Sequence, residues 1–189
     1  MPGKAGRKVV LIEDGHIGSG ETGRTTAHLV NALDDLYSEL EKLHGSDNIK
    51  LLAESHTAAI DFVEKTITEE NIECDFVRLN GYLFLHPTDE IKTLQNESKS
   101  TKAAGINTIL MNEVPGIAFE KGPSLQFPRQ AQFHPLKYLR GLSNAVTRFG
   151  GQIYTQTRAE NFGKNEVTAN GFKIKANHIV VATNTPIND

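Results

Sequence analysis

Residues 18–23 read GSGETG, a glycine pattern of the form G-x-G-x-x-G. Where such a pattern joins a strand to a helix, its glycines let backbone N–H groups approach the pyrophosphate of a dinucleotide at the N-terminus of the helix. An apolar run precedes this pattern, and a run typical of a helix follows it. One hypothesis is therefore an NAD-binding module that uses GSGETG directly.

The surroundings of the pattern do not meet the mechanical needs of that fingerprint. Its first glycine should end the strand, whereas residues 14–17 separate Gly18 from a strand that ends at Glu13. The fingerprint also needs an acid about 20 residues later, at the end of a second strand. Here that distance falls near Ser38 and Glu39, in the middle of a predicted helix. The pattern matches, but its context does not.

Glu13 suggests a different interpretation. It ends the run KVVLIE, residues 8–13, where the acid that holds the ribose of a dinucleotide belongs. In that case KVVLIE is the second strand of a dinucleotide fold, and the first strand with the true glycine turn would lie before Met1. The simpler alternative is that Glu13 is a polar residue where a strand reaches solvent.

The elements around these residues follow from hydrophobic periodicity. Residues 8–13 predict a buried, parallel strand. Apolar residues at helical spacing predict a helix over residues 29–43, which Gly45 ends, and a second helix over residues 47–69. His56 falls on the apolar stripe of the second helix, where we expect a hydrogen-bonded histidine at the core edge rather than a ligand.

The middle of the chain predicts a small mixed α+β lobe. Residues 76–86 predict two strands turned at Asn80-Gly81, a strong hairpin signal. A polar helix follows over residues 87–104, with Thr88 as its N-cap. Short strands are predicted over residues 108–111 and 124–127.

The last part of the chain returns to the pattern of an α/β layer. His134-Pro135 begins a helix that ends at Gly150-Gly151, and residues 152–157 predict a strand. A hairpin turned at Asn170-Gly171 and a buried strand over residues 178–183 follow. The predicted fold class is α/β, with part of a Rossmann-like parallel sheet and its helices, and part of an α+β substrate lobe.

Composition argues against several classes of protein. The 189 residues carry a net charge of −3 without a basic stripe, which disfavours a nucleic-acid partner. No apolar run reaches the roughly 18 residues of a membrane span, and the N-terminus lacks the apolar region of a secretory signal. Cys74 is the single cysteine, so no disulfide forms within the chain and a cysteine-based metal site is not expected. We expect a cytoplasmic protein without a metal site.

Three stretches, in order along nearly the whole chain, resemble one family. The run LIEDGHIGSGETGRTTAHL is similar to the second-strand region of FAD-dependent oxidoreductases of the D-amino-acid oxidase and glycine oxidase superfamily. QAQFHP, followed by a helix and Gly150-Gly151, is similar to the return of these proteins from their substrate lobe, and HIVVATN to their late flavin-domain strand. The glycine loop looks closest to members with a C-terminal Rieske domain.

The resemblance implies a set of FAD contacts. Glu13 would accept hydrogen bonds from the adenosine ribose, and the backbone of Ala159 would hold adenine. The glycine loop would line the pyrophosphate with Ser19, Gly20, Thr22, Gly23 and Arg24. Thr25, Thr26 and Ala27, at the start of the following helix, would lie near the ribityl chain or the flavin ring. The alternative for Thr25 and Thr26 is simple helix capping. The end of the late strand would approach the pyrophosphate with Ala182, Thr183 and Asn184.

The resemblance also implies a domain order and an activity. Residues 1–75 would form the first part of an FAD-binding domain, residues 76–134 part of a substrate lobe, and residues 135–189 the return to the FAD-binding domain. We therefore expect a fragment of a longer oxidoreductase that oxidises an amine- or hydroxyl-bearing small molecule by hydride transfer to flavin. Its partners would be that substrate and the remainder of the parent polypeptide.

Several family features are missing from this sequence. The first strand, its glycine turn and the C-terminal part are absent, so we expect the chain alone to bind FAD weakly or not at all. A third hypothesis is a non-catalytic lobe that binds a partner. No paired Cys-x-His motifs occur, so any 2Fe-2S cluster would lie outside this chain. Tyr82, His86 and His134 are candidate catalytic side chains without a supporting motif, and His134 is more typical of a turn, so the catalytic residues stay unassigned.

Overall fold

A computed structural model describes residues 5–86, 88–116 and 122–185. In chain order the elements are β1 (Val10–Ile12), a 3₁₀ helix (Glu21–Arg24), β2 (His28–Leu29), α1 (Tyr37–His44), α2 (Ser46–Glu70), β3 (Val77–Phe84), α3 (Ile91–Ala103), β4 (Ile109–Met111), β5 (Ser124–Gln132), α4 (Pro135–Arg148), β6 (Gln152–Tyr154), β7 (Ala159–Phe162), β8 (Glu166–Ala169) and β9 (Phe172–Lys175). The chain divides into two compact units. The terminal unit comprises Met1–Arg24 and Leu142–Asp189, and the central unit comprises Thr25–Gly141.

The terminal unit contains a parallel strand pair and an antiparallel sheet. β1 runs parallel to β6, with Val10 opposite Gln152 and Ile12 opposite Tyr154, which confirms the predicted parallel strand. β7, β8 and β9 form an antiparallel sheet in that order. The turn between β8 and β9 holds Asn170 at φ 48° and Gly171 at φ 79°, as a two-residue hairpin of the Asn-Gly type requires. The predicted hairpin is confirmed.

Two predictions for this unit are wrong. Residues 178–183 form no strand, and Val180 in their middle is 87% exposed. β1 is not buried either, since Val10 is 45% and Leu11 40% exposed. A strand exists only where neighbours take its backbone N–H and C=O groups. Among the described residues no strand pairs with residues 178–183, and β1 pairs with one strand, β6. Apolar composition alone therefore misled both predictions.

The central unit packs helices against an antiparallel sheet. α2 confirms the helix predicted over residues 47–69, and His56 on it is half-buried. The helix predicted over residues 29–43 is wrong in its first half, because β2 pairs with β5 and α1 begins only at Tyr37. Pairing with a neighbouring strand here overrides a helical spacing of leucines, as tertiary contacts often override local preference.

β5 is the centre of this sheet, because it pairs with β3, with β4 and with β2. The hairpin predicted at Asn80-Gly81 is wrong. Both residues lie inside the single strand β3, whose register against β5 shifts between Leu79 and Gly81. A Cβ on Gly81 would lie 3.2 Å from Cγ of Gln130 on β5. The glycine therefore permits a close approach at a bulge instead of making a turn.

The other central elements follow the predictions with shifted ends. α3 begins at Ile91 with Glu90 as its N-cap, so Thr88 does not cap it, and Pro87 lies outside the described residues. β4 confirms the strand over 108–111, and the strand predicted over 124–127 continues to Gln132. α4 confirms the helix that begins after His134.

A buried cluster forms the core of the central unit, made of Tyr37, Ile49, Ala53, Leu94, Ala104, Ile106, Leu125 and Phe127. It joins α1, α2 and α3 to β5. Residues 25–75 therefore group with the sheet of the central unit, whereas the resemblance placed residues 1–75 together in one domain. The assignment of these parts to flavin and substrate domains stays a prediction.

Candidate functional site

The strongest candidate site lies where the parallel strands β1 and β6 end. The ladder continues past both strands, because Glu13 N–H donates to Tyr154 O at 2.9 Å and Thr157 N–H donates to Glu13 O at 2.9 Å. Gln156 N–H then donates to Gly15 O at 3.0 Å. We call residues 13–15 and 156–158 the strand-end cluster. Open α/β sheets bind ligands just beyond the carboxyl ends of their strands.

The Glu13 side chain is half-buried within this cluster, and one of its two carboxylate oxygens accepts no hydrogen bond from the described residues. Its Oε1 accepts a hydrogen bond from Gly15 N–H at 3.0 Å. Its Oε2 takes no hydrogen bond from any of the described residues. A Cβ on Gly15 would lie 2.7 Å from Oγ of Ser19, so the glycine loop folds back close to this turn. The carboxylate is thus held by one oxygen and available to a hydroxyl donor through the other.

A surface ion pair flanks the same cluster. Arg158 Nη1 lies 3.8 Å from Oδ2 of Asp14, and both side chains are largely exposed. Exposed pairs of this kind contribute little to stability. The pair leaves a positive and a negative side chain on opposite segments of the strand-end cluster.

The glycine loop leads into a short 3₁₀ helix rather than an α-helix. Ser19 N–H donates to His16 O at 3.0 Å, and Gly23 N–H donates to Gly20 O at 3.3 Å. The predicted pyrophosphate residues Ser19, Gly20, Thr22, Gly23 and Arg24 are all exposed. A Cβ on Gly20 would meet nothing within 4 Å. Nη1 of Arg24 lies 3.6 Å from Oε1 of Glu21, so the two side chains form an exposed ion pair.

This local structure disfavours the NAD hypothesis. The dinucleotide fingerprint needs an α-helix to begin directly at the glycines, and the first α-helix among the described residues begins at Tyr37. GSGETG therefore lacks the element that would aim its N–H groups at a pyrophosphate in the way the fingerprint does.

Thr25, Thr26 and Ala27 do not begin a helix, which corrects the prediction for them. Ala27 has φ 66°, its N–H donates to Oγ1 of Thr25 at 3.2 Å, and its carbonyl accepts from Phe133 N–H at 3.2 Å. These contacts lead the chain into β2, beside the end of β5. The hydroxyl of Thr25 closes a turn instead of capping a helix.

The remaining predicted FAD contacts fall into two groups. Ala159 is half-buried at the start of β7 and pairs with Ala169. Ala182, Thr183 and Asn184 are exposed in an irregular segment, where Thr183 Oγ1 donates to Thr185 O at 2.7 Å. The predicted end of a strand at these three residues is wrong, as described above.

Sequence reasoning missed the residues that hold the strand-end cluster together. Gln156 and Thr157 donate from their backbone, and Asn170 Nδ2 donates to Gln156 O at 3.1 Å. A usable signal existed, because the polar run 155–158 follows the strand QIY in the same way that Glu13 follows KVVLIE.

The catalytic candidates of the central unit have structural partners. The hydroxyl of Tyr82 accepts from Gln126 Nε2 at 3.1 Å, and Nδ1 of His86 lies 2.8 Å from Oγ1 of Thr88. Nδ1 of His134 accepts from Lys137 N–H at 3.4 Å, at the first turn of α4. His134 is therefore placed as a helix-capping residue, in line with the expectation of a turn. Nothing here assigns a catalytic group.

Cys74 is buried, and burial raises the pKa of its thiol. A thiol with a raised pKa is a poor nucleophile because the thiolate is the reactive form. Within the described ranges no three His, Cys, Asp or Glu side chains come together as a metal site would need. No helix in the described part of the chain has the length and apolar character needed to cross a membrane.

Comparisons with known proteins agree on one family. The family described as FAD dependent oxidoreductase matches residues 3–187. A Bacillus subtilis protein, YhfW, whose name describes it as a Rieske 2Fe-2S iron–sulfur protein, is 30% identical over 98% of this chain and 37% of its own length. The gamma-glutamylputrescine oxidoreductase of Escherichia coli is 24% identical over 98% of this chain and 45% of its own.

The comparison with solved structures supports the same fold. Glycine oxidase from Geobacillus kaustophilus superimposes with a TM-score of 0.76 at 16% identity, over 96% of this chain and 50% of that one. The predicted α/β fold class is confirmed. The chain spans less than half the length of the curated relatives it matches.

Proposed function

This chain belongs to the FAD-dependent oxidoreductase family, and from that premise we propose that it forms the adenosine-binding part of such an enzyme. The parent would oxidise a small molecule at a carbon that bears an amine or a hydroxyl group. The observation that carries the proposal is Oε2 of Glu13, which accepts no hydrogen bond from the described residues and lies at the carboxyl end of β1. The names of the relatives support an amine substrate, because gamma-glutamylputrescine and glycine both carry amines.

The residues of the strand-end cluster fit the adenosine end of FAD. Glu13 would accept a hydrogen bond from a ribose hydroxyl through Oε2 while Gly15 N–H keeps Oε1 in place. In the glycine loop that follows, Ser19 and Thr22 would offer hydroxyl donors to the pyrophosphate, and Gly20 leaves open space beside them. FAD, when bound, supplies the hydride acceptor, and the protein supplies binding and orientation.

The other predicted contacts to the cofactor are not assembled in this chain. Thr25, Thr26 and Ala27 build a turn before β2, and Ala182, Thr183 and Asn184 lie exposed outside any strand. We therefore propose that contacts to the flavin ring, and part of the contacts to the pyrophosphate, depend on the remainder of a parent polypeptide. The matched relatives are more than twice as long as the segment they share with this chain. Any 2Fe-2S cluster would belong to that remainder.

Titration of the purified chain with FAD and with FMN tests the ribose contact, because FMN lacks adenosine. We expect weak FAD binding, and we expect Glu13→Ala to lower FAD affinity about tenfold, as loss of a hydrogen bond to a charged group does. FMN should show no measurable binding to either chain, because it lacks the adenosine that Glu13 would hold. Glu160→Ala, which removes an exposed carboxylate from β7, is the matched control.

Equal FAD affinity in wild type and Glu13→Ala would refute the adenosine role. A yellow chain that purifies with stoichiometric flavin would overturn the expectation that the chain alone binds FAD weakly. Tight NAD binding by calorimetry that is lost in Gly20→Val would instead favour direct use of GSGETG.

A further inference from the structure

We infer that Asn170 is a positioning residue for the strand-end cluster, and through it for Glu13. Asn170 lies at the tip of the β8–β9 hairpin, and its amide Nδ2 donates to the carbonyl of Gln156 at 3.1 Å. Gln156 in turn donates its N–H to Gly15 O, two residues beyond Glu13. A chain of hydrogen bonds therefore runs from the hairpin tip to the turn that holds the carboxylate. Its functional meaning rests on the adenosine role proposed for Glu13.

The backbone of Gln156 explains why the segment needs this contact. Gln156 has φ 51°, in the left-handed region that residues with a side chain rarely adopt. Such a conformation persists only where the surrounding structure fixes it. Two hydrogen bonds do so here: the N–H of Gln156 is held by Gly15 O, and its carbonyl is held by Asn170.

The register of β7, β8 and β9 places Asn170 beside Gln156. Ala169 pairs with Ala159, the first residue of β7, and Ala169 also pairs with Phe172 across the turn. The turn between β8 and β9 therefore lies beside the chain that enters β7, which is the segment 156–158. Asn170 tolerates the left-handed conformation of this turn and also carries the amide that reaches Gln156.

The variant Asn170→Gly separates the two roles. Glycine keeps the positive φ that the turn needs but removes the amide donor. Asn165→Gly is the matched control, since it removes an exposed asparagine from a loop of the same sheet whose side chain makes no hydrogen bond to the described residues. Hydrogen exchange of individual amides is measured by NMR on the full chain.

We expect the amides of Gln156 and Thr157 to exchange roughly threefold to tenfold faster in Asn170→Gly, the loss expected for one exposed hydrogen bond. The amides of the β8–β9 ladder should not change. FAD affinity, followed in the same samples through the Gly15 amide, should fall by a similar factor, and FMN should show no measurable binding to either chain.

Unchanged exchange at Gln156 and Thr157 would overturn the inference. Equal acceleration of the β8–β9 ladder would overturn it too, because Asn170 would then only shape its own turn. Glu13→Ala distinguishes the two proposals: if it leaves FAD affinity unchanged, the adenosine role fails, whereas the exchange of Gln156 and Thr157 still decides whether Asn170 positions the cluster.

Discussion

Glu97 caps a helix to which it does not belong, and its removal should be among the most costly single changes in the central unit. The carboxylate is 1% exposed on α3. Its Oε1 accepts from Tyr37 N–H at 3.0 Å and its Oε2 from Ser38 N–H at 2.9 Å. These are the first two N–H groups of α1, which has no side-chain cap of its own at Leu36.

The N–H groups of the first four residues of α1 all have acceptors. A helix leaves its first four N–H groups without partners inside the helix. Glu39 and Leu40 donate theirs to Leu36 O, both at 3.0 Å. Glu97 takes the other two. Tyr37 and Ser38, whose N–H groups donate to Glu97, are both buried, so water cannot replace the carboxylate.

Glu97→Ala leaves two buried donors unpaired, and each costs about 1 to 3 kcal/mol. We expect a loss of about 3 to 5 kcal/mol in the free energy of unfolding, a large share of the roughly 5 to 15 kcal/mol typical of a domain. The melting temperature should fall by roughly 6 to 20 °C. Glu97→Gln keeps the volume but sets an amide donor against an N–H donor, so we expect a loss of about 1 to 3 kcal/mol.

Urea unfolding followed by circular dichroism measures these losses. Gln95→Ala, at an exposed position of the same helix, is the control and should change stability by less than about 0.5 kcal/mol. If Glu97→Ala costs no more than Gln95→Ala, the capping account is refuted. If Glu97→Gln is as stable as wild type, the charge and second acceptor are unimportant.

Two further predictions concern packing and pH. Gly141→Ala should destabilise the protein by about 1 to 3 kcal/mol in urea unfolding, because the new Cβ would lie 2.8 Å from Cγ1 of Ile72, while Gly20→Ala, in open space, should be nearly neutral. Burial raises the pKa of Tyr37 to about 12, with the nearby Glu97 charge adding to the effect. The folded state therefore keeps this proton longer than the unfolded state, and about 2 to 3 kcal/mol of stability should be lost between pH 10 and 12. Tyr37→Phe should flatten that part of the pH profile in the same assay, and an unchanged slope would contradict the assignment.

Local patterns predicted the elements whose signals are strong within a few residues. The helices α2 and α4 and the Asn170-Gly171 hairpin are found as expected, because long amphipathic stripes and Asn-Gly turns act over short distances. The other Asn-Gly pair, Asn80-Gly81, carries the same local signal but lies inside β3, where the register against β5 shifts. The conformation of Asn80-Gly81 is decided by the pairing of β3 with β5, a strand distant in sequence.

The failures share this dependence on distant partners. The leucine spacing over residues 29–43 favours a helix, yet His28 and Leu29 pair with Gln132 and Ala131 of β5. Residues 178–183 have the composition of a buried strand, and among the described residues no strand pairs with them. Composition states how well a segment would serve as a strand, but only a neighbour with free backbone groups makes it one.

The candidate site follows the same logic. GSGETG is a local pattern, and the structure gives it a 3₁₀ helix and no α-helix before Tyr37. Glu13 was informative because it ends a strand, where the ribose-binding acid of a dinucleotide fold belongs. The structure adds what the sequence did not predict: Glu13 lies beside the residues that follow β6, because Thr157 N–H donates to Glu13 O. The position of Glu13 at the end of a strand was therefore a more useful signal than the glycine pattern. Backbone pairing between distant segments decides which residues surround a strand end, whereas a glycine pattern describes only its own segment.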